Sequence, residues 1–160
     1  KLDKETTVIF TSDHGYLLGE HHFWQKGNLR EEVTRVPLII RSPKSTTGIN
    51  SSIVELVDLF PTACELTGLP IPKSVEGKSL VSILVGSRSN IKGSALSFVP
   101  RGTSLRTKKW SYMKYKDGAE ELYDMKKDPK QFDNLVGKSK YREQLRSIRN
   151  LFENRTQSIR

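Results

Sequence analysis

Asp13 and His14 stand side by side where an apolar run, Thr6-Thr7-Val8-Ile9-Phe10-Thr11, breaks off at Ser12-Asp13-His14-Gly15. A carboxylate and an imidazole are both ligands for a divalent metal, and a strand end is a place from which a pair of them can be presented. The same residues also read as a turn with a hydrogen-bonded carboxylate. After them comes a long stretch rich in Gly, His, Trp and charge, which ends at a second apolar run, Val36-Pro37-Leu38-Ile39-Ile40. Long loops that follow strand ends are where sites are usually built. Cysteine chemistry is restricted by count: Cys64 is the single cysteine, which excludes an internal disulfide and any multi-cysteine metal site. Its apolar surroundings, VDLFPTACELTGL, predict a buried structural thiol.

The elements that must position these residues follow from periodicity and punctuation. The nearly continuous apolar character of the run ending at Thr11 predicts a strand covered on both faces in an α/β protein. Asp58 is expected to cap a helix from Leu59 to Thr67 that ends at Gly68, and a shorter helix is expected from Ser79 to Val85. The polar, turn-rich GSRSNIKG after it marks a subdomain boundary, giving 1–92 and 93–160. Four short strands are predicted beyond it, over Ala95–Val99, Thr103–Thr107, Trp110–Lys116 and Glu120–Asp124. Asp117-Gly118 signals a hairpin with a primed turn. Asp124, Asp128 and Pro129 read as turn formers. A basic amphipathic helix from about Ser139 to Phe152 closes the chain, with Tyr141, Leu145, Ile148, Leu151 and Phe152 on one face.

At 160 residues the chain suits one ordinary domain or a lobe of something larger. The charged start, Lys1 to Glu5, leads straight into a strand and resembles the middle of a longer protein. No apolar run approaches the length of a membrane span. The net charge of +9 would attract polyanions, yet the lysines and arginines are spread without a nucleic-acid motif, so no nucleic-acid partner is expected.

The string SDHGYLLGEHHFWQKG, followed by REEVTRVPLII, closely resembles the sulfatases of the alkaline phosphatase superfamily, in particular an iduronate-2-sulfatase-like branch. VELVDLFPTACELTGLPIP, EGKSLVSILVG and the tail WSYMKYKDGAEELYDMKKDPKQFDNL extend the resemblance in order over most of the chain. It implies the C-terminal part of a sulfatase α/β domain followed by a small antiparallel sheet with a C-terminal helix. It further implies that Asp13 and His14 are two ligands of the active-site metal, and that Lys26 contacts the sulfate near the leaving oxygen. A cation and an ammonium together would offset charge on a sulfuryl oxygen and on the departing alkoxide. Calcium is the usual metal of such enzymes; an imidazole at position 14 also suits manganese or another transition metal. His21, in the Gly-Glu-His position, is a candidate for substrate binding, while Tyr16 is a candidate pocket wall and Trp24 is expected to be buried. Glu31, Glu32 and Arg35 are expected in structural ion pairs and caps.

The family's nucleophile is a formylglycine made in a Cys/Ser-x-Pro-x-Arg motif. Cys64-Glu65-Leu66-Thr67-Gly68 is not that motif and no serine here begins one, so the nucleophile is expected in a missing N-terminal part and this piece alone is expected to be inactive. The expected partners are that part and a sulfated small molecule or glycan. Secretion, a periplasmic or a lysosomal location is implied by the resemblance. The competing readings are a phosphonate or phosphate ester hydrolase of the same superfamily and a non-catalytic polyanion-binding basic domain.

Overall fold

The computed structural model describes residues 2–158; Lys1, part of the charged start, lies outside them. The chain divides into two compact units, one built from the residues through Asp13 with Val36–Gly93, the other from His14–Arg35 with Ser94 onward.

In the first unit, β1 (Val8–Thr11) pairs antiparallel with β2 (Leu38–Arg41), Ile9 facing Ile40 and Phe10 facing Ile39. Among the described residues the ribbon is covered on one face. Burial alternates along both strands, and Phe10 and Ile39 are 59% and 63% exposed. A helix α2 spans Leu59–Thr67 as its pattern predicts, with Cys64 buried. Asp58 does not cap it: its backbone is already helical and it ends a 3-10 turn over Leu56–Asp58. Its carboxylate, fully buried, accepts the Glu55 and Lys78 N–H groups at 2.8 Å each and the Lys92 ammonium at 2.6 Å. Lys92 also reaches Glu55 at 2.6 Å. A buried carboxylate needs such partners: Glu55 belongs to its own 3-10 turn, with which it forms a capping box, and Lys78 and Lys92 come from two distant segments, so the carboxylate caps that turn and not α2. The Thr62 hydroxyl donates to the Asp58 carbonyl and accepts the Leu80 N–H at 2.9 Å. The next helix, α3, is confined to Val81–Leu84, shorter than predicted, because Leu80 ahead of it is spent as a buried anchor.

The second unit includes the four-residue helix α1, Glu31–Thr34, and a four-stranded antiparallel sheet in the order β3 (Ser94–Val99), β4 (Gly102–Thr107), β5 (Trp110–Tyr115), β6 (Glu120–Asp124). Leu96, Leu105, Tyr112 and Leu122 lie opposite one another on one face, against Leu145, Ile148 and Phe152 of the terminal helix α4 (Arg142–Gln157). Leu151 faces out, since the stripe i, i+3, i+7 already fills the contact. The other face of the sheet presents Met113 and Tyr123 to Met125 and to Leu29, which belongs to the long loop. That contact is why the 14–35 segment clusters with strands some way along the chain.

The β5–β6 turn is not primed. The Gly118 N–H closes onto the Tyr115 carbonyl at 3.1 Å and only Gly118 has positive φ, 89°. This is a type I turn followed by a left-handed bulge residue, favoured because the Asp117 carboxylate accepts the Ala119 N–H at 3.0 Å. Asp124 is a buried turn former, its carbonyl accepting the Lys127 and Asp128 N–H groups.

Candidate active site

β1 delivers Asp13 two residues past its end, exposed, with the Ser12 hydroxyl at 3.4 Å from Oδ1. His14 is half-buried and its Nδ1 lies 2.8 Å from the Gly15 carbonyl. A carbonyl only accepts, so the neutral ring carries its proton on Nδ1 and its lone pair on Nε2. That is the arrangement a metal-ligating histidine adopts when a backbone carbonyl fixes its tautomer. A carboxylate oxygen and an imidazole nitrogen are each donor types that a divalent metal takes; among the described residues no group of three or more His, Cys, Asp or Glu side chains forms a complete set.

Gly15 is forced by contact. Its N–H donates to the Val33 carbonyl at 2.8 Å, and a Cβ here would sit 1.8 Å from the Glu32 carbonyl oxygen. The chain after His14 is thus pressed onto α1. From there the loop folds on itself: Leu17 is fully buried and donates to Gln25, Gly19 donates to Phe23, and Leu18 donates to the Glu20 carboxylate at 2.6 Å. Its own backbone N–H, and then that of Leu18, lower the pKa of the Glu20 carboxyl from its ordinary value. Lys26 emerges beyond this knot, exposed, its carbonyl taken by Asn28.

His21 and His22 both occupy left-handed backbone, φ 52° and 62°, a conformation that is uncommon outside glycine. The His21 side chain is only 7% exposed; its Nε2 stands 3.7 Å from a Glu32 carboxylate oxygen, and its ring lies 4.8 Å from that of Phe132. His21 Nε2 and Glu32 Oε2 are both buried without a hydrogen-bond partner. Trp24, expected to be buried, is 70% exposed, and Tyr16 is half-exposed.

What holds α1 could not be seen as a motif. Glu31 receives Arg106 in two bonds, at 2.9 and 3.2 Å, and its N–H donates to Gln131 Oε1 at 2.8 Å. Arg30 donates to the Gln131 carbonyl at 3.0 Å, pairs with Glu121 at 2.9 Å and lies 5.0 Å over the Tyr123 ring. Gln131, almost fully buried and itself left-handed at φ 58°, is fixed in turn by a bond to the Ser111 hydroxyl at 2.8 Å. Burial and the Glu121 carboxylate push the Tyr115 hydroxyl up to about 12, so the ring beside this anchor stays neutral. The expected ion pairing of Glu31 and Arg35 is present, though at 3.7 Å it is the weakest contact of the set.

The family model for the C-terminal region of N-sulphoglucosamine sulphohydrolase matches residues 19–158. The chain belongs to the sulfatase family. Arylsulfatase K of Xenopus laevis is 33% identical over 150 residues, 82% of this chain and 28% of that protein. N-acetylglucosamine-6-O-sulfatase of Bacteroides thetaiotaomicron is 31% identical over 164 residues, 92% and 29%. A solved structure in complex with its substrate D-glucosamine-2-N,6-O-disulfate superposes with a TM-score of 0.89 at 29% identity, over 96% of this chain and 34% of that one. The sulfatase segment therefore spans about a third of the length of these proteins.

Proposed function

We propose that the protein carrying this sulfatase segment hydrolyses sulfate esters of a glycan. The observation that supports the reading most is the superposition, over nearly the whole chain, on a structure bound to a disulfated glucosamine. Asp13 and His14 are assigned as two ligands of a divalent metal, calcium first and manganese second. Such an ion would supply Lewis-acid charge at a sulfuryl oxygen. Lys26 is assigned to the sulfate, where its ammonium would offset charge growing on the leaving oxygen. The formylglycine nucleophile is assigned to polypeptide outside residues 1–160, and the division into 1–92 as catalytic-domain strands and 93–160 as a small-sheet subdomain is kept as part of this reading. The finer placement in an iduronate-2-sulfatase-like branch rests on the motif string alone, and a secreted, periplasmic or lysosomal location on the family alone. Among the described residues no helix is long and apolar enough to cross a membrane.

His21 is given a different part from the substrate contact its motif position implies. With its ring turned in on Glu32 and Phe132, it braces the Glu20–His22 turn against α1 and so positions the loop that leads to Lys26.

The test uses the full-length protein, with an aryl sulfate and an aryl phosphonate monoester as substrates. Because Lys26 acts on charge that develops in the transition state, Lys26→Ala should lower kcat by about two to three orders of magnitude while KM and bound metal change little. Asp13→Ala should lower metal occupancy as well. Near-normal turnover by Lys26→Ala, or faster turnover of the phosphonate by the unmodified enzyme, overturns the assignment.

A further inference from the structure

Three turns of the second unit bring together five lysines, none of which is held in an ion pair among the described residues. Lys108 and Lys109 form the β4–β5 turn, Lys126 and Lys127 follow the end of β6, and Lys140 sits in the turn Ser139–Tyr141 ahead of α4. The strands place the first two pairs side by side: Trp110 is opposite Asp124, and the Met125 N–H donates to the Lys109 carbonyl at 2.7 Å. The third turn is joined to them by rings, Tyr141 packing edge-on against Trp110 at 6.2 Å and 78°. All five lysines are exposed, and among the described residues none of them makes an ion pair. Of the acidic groups nearby, Glu143 in the first turn of α4 is exposed, and three aspartates have other partners. Asp124 is buried and accepts the Lys126 N–H, Asp128 accepts the Asp133 N–H, and Asp133 is paired with Lys138.

Two of the five ammoniums are also held in place. Lys109 Nζ lies 4.7 Å from the centre of the Trp110 ring and Lys140 Nζ lies 6.0 Å from that of Tyr141. Both are within reach of the ring quadrupole. A cation held this way has less rotamer freedom left to lose on meeting an anion. A surface chosen only for solubility intersperses its signs; here five like charges adjoin an aromatic pair.

We propose that this face, built from residues other than the candidate catalytic ones, is a binding site for the sulfate groups of a sulfated glycan chain. The class of polyanion rests on the sulfatase reading above; the existence of the face does not. Binding here would hold a polymeric substrate to the enzyme without touching the chemistry, and it would weaken as salt rises, because each sulfate held by a lysine releases a counterion.

The experiment uses the full-length protein, heparin oligosaccharides as the probe, and single-stranded DNA of matched charge as the competitor. The triple variant Lys109→Gln, Lys127→Gln, Lys140→Gln should weaken heparin binding about tenfold at physiological salt and flatten its salt dependence. Turnover of a small aryl sulfate should be unchanged, and KM for a polymeric sulfated substrate should rise. A control with the same loss of charge in the first unit, Lys44→Gln, Lys73→Gln, Lys78→Gln, should change heparin affinity by less than about twofold. Equal losses in the two triple variants, or DNA bound as tightly as heparin, would overturn the proposal by showing charge without a site. If the triple variant loses heparin while the unmodified protein turns over no sulfate ester, the face stands and the catalytic reading is what fails.

Discussion

The two sheets of this sulfatase segment are both antiparallel and both drawn from β-branched and aromatic residues, yet they are covered differently. β3–β6 has a layer on each face, α4 over Leu105, Tyr112 and Leu122, and Leu29 of the loop against Met113 and Tyr123. β1–β2 leaves Val8, Phe10 and Ile39 exposed. Apolar content alone therefore does not say which strands make a self-sufficient core; the difference lies in whether an amphipathic element is available to each face. Of the candidate residues, His14, His21 and Lys26 belong to the unit with the closed core.

The largest effect that can test this contrast is a cavity. Leu105 is fully buried in a central strand, so Leu105→Ala should destabilise the segment by about 3–5 kcal/mol. Phe10→Ala, at an exposed position, should change stability by less than about 1 kcal/mol. Urea unfolding of both variants beside the parent measures the difference. Equal losses would mean that the ribbon is as well covered as the sheet, and the contrast would be gone.

An intermediate effect is expected at Arg30, which ties the loop to the sheet. Arg30→Ala removes the one cation paired with Glu121 in a half-buried setting, leaving the carboxylate the Tyr115 and Tyr123 hydroxyls, and frees the Gln131 carbonyl, a loss of about 2–3 kcal/mol. Hydrogen exchange at Gly15, Leu17 and Gly19 should quicken together, since all three amides depend on α1 or on the loop it supports. Arg30→Lys keeps the charge but not the two-armed geometry and should recover only part of the loss. Unchanged exchange in Arg30→Ala would show that Leu29 and Gly15 suffice to hold the loop.

Much of this arrangement was readable before the structure. The four strands of the small sheet, α2 and the terminal helix follow from period and punctuation, and the string from Ser12 to Gly27 identifies the loop to watch. The anchor of that loop was not readable. Gln131 meets Glu31 across a hundred residues of chain, and no local spacing announces it. Left-handed backbone at His21, His22 and Gln131 was equally hidden, because these residue types carry no strong preference for it and tertiary contacts impose it. Asp58 shows the same limit from the other side. Its position before a helix is the ordinary sign of a cap, and only the folded unit reveals that Lys92 and Lys78 claim the carboxylate.

The smallest effect tests whether the closed sheet owes anything to charge. Glu120 on β6 accepts from Arg149 of α4 and from the Tyr112 hydroxyl. Burial alone would raise its pKa, but the donors outweigh it and hold the carboxyl below its ordinary 4.5. A folded-state pKa below the unfolded one means that the stabilisation is present above about pH 4.5 and fades as pH falls through the lowered value. Because Arg149 is 46% exposed, solvent screening limits the contribution to about 0.5–1 kcal/mol. Arg149→Gln should cost that much at pH 7, and the gap between variant and parent should close as the pH is taken below 4. Urea midpoints collected from pH 7 to pH 3 decide the matter. A gap that stays constant across the range would assign the role of Arg149 to the packing of its aliphatic stem, and the closed core of the second unit would then rest on apolar contact alone.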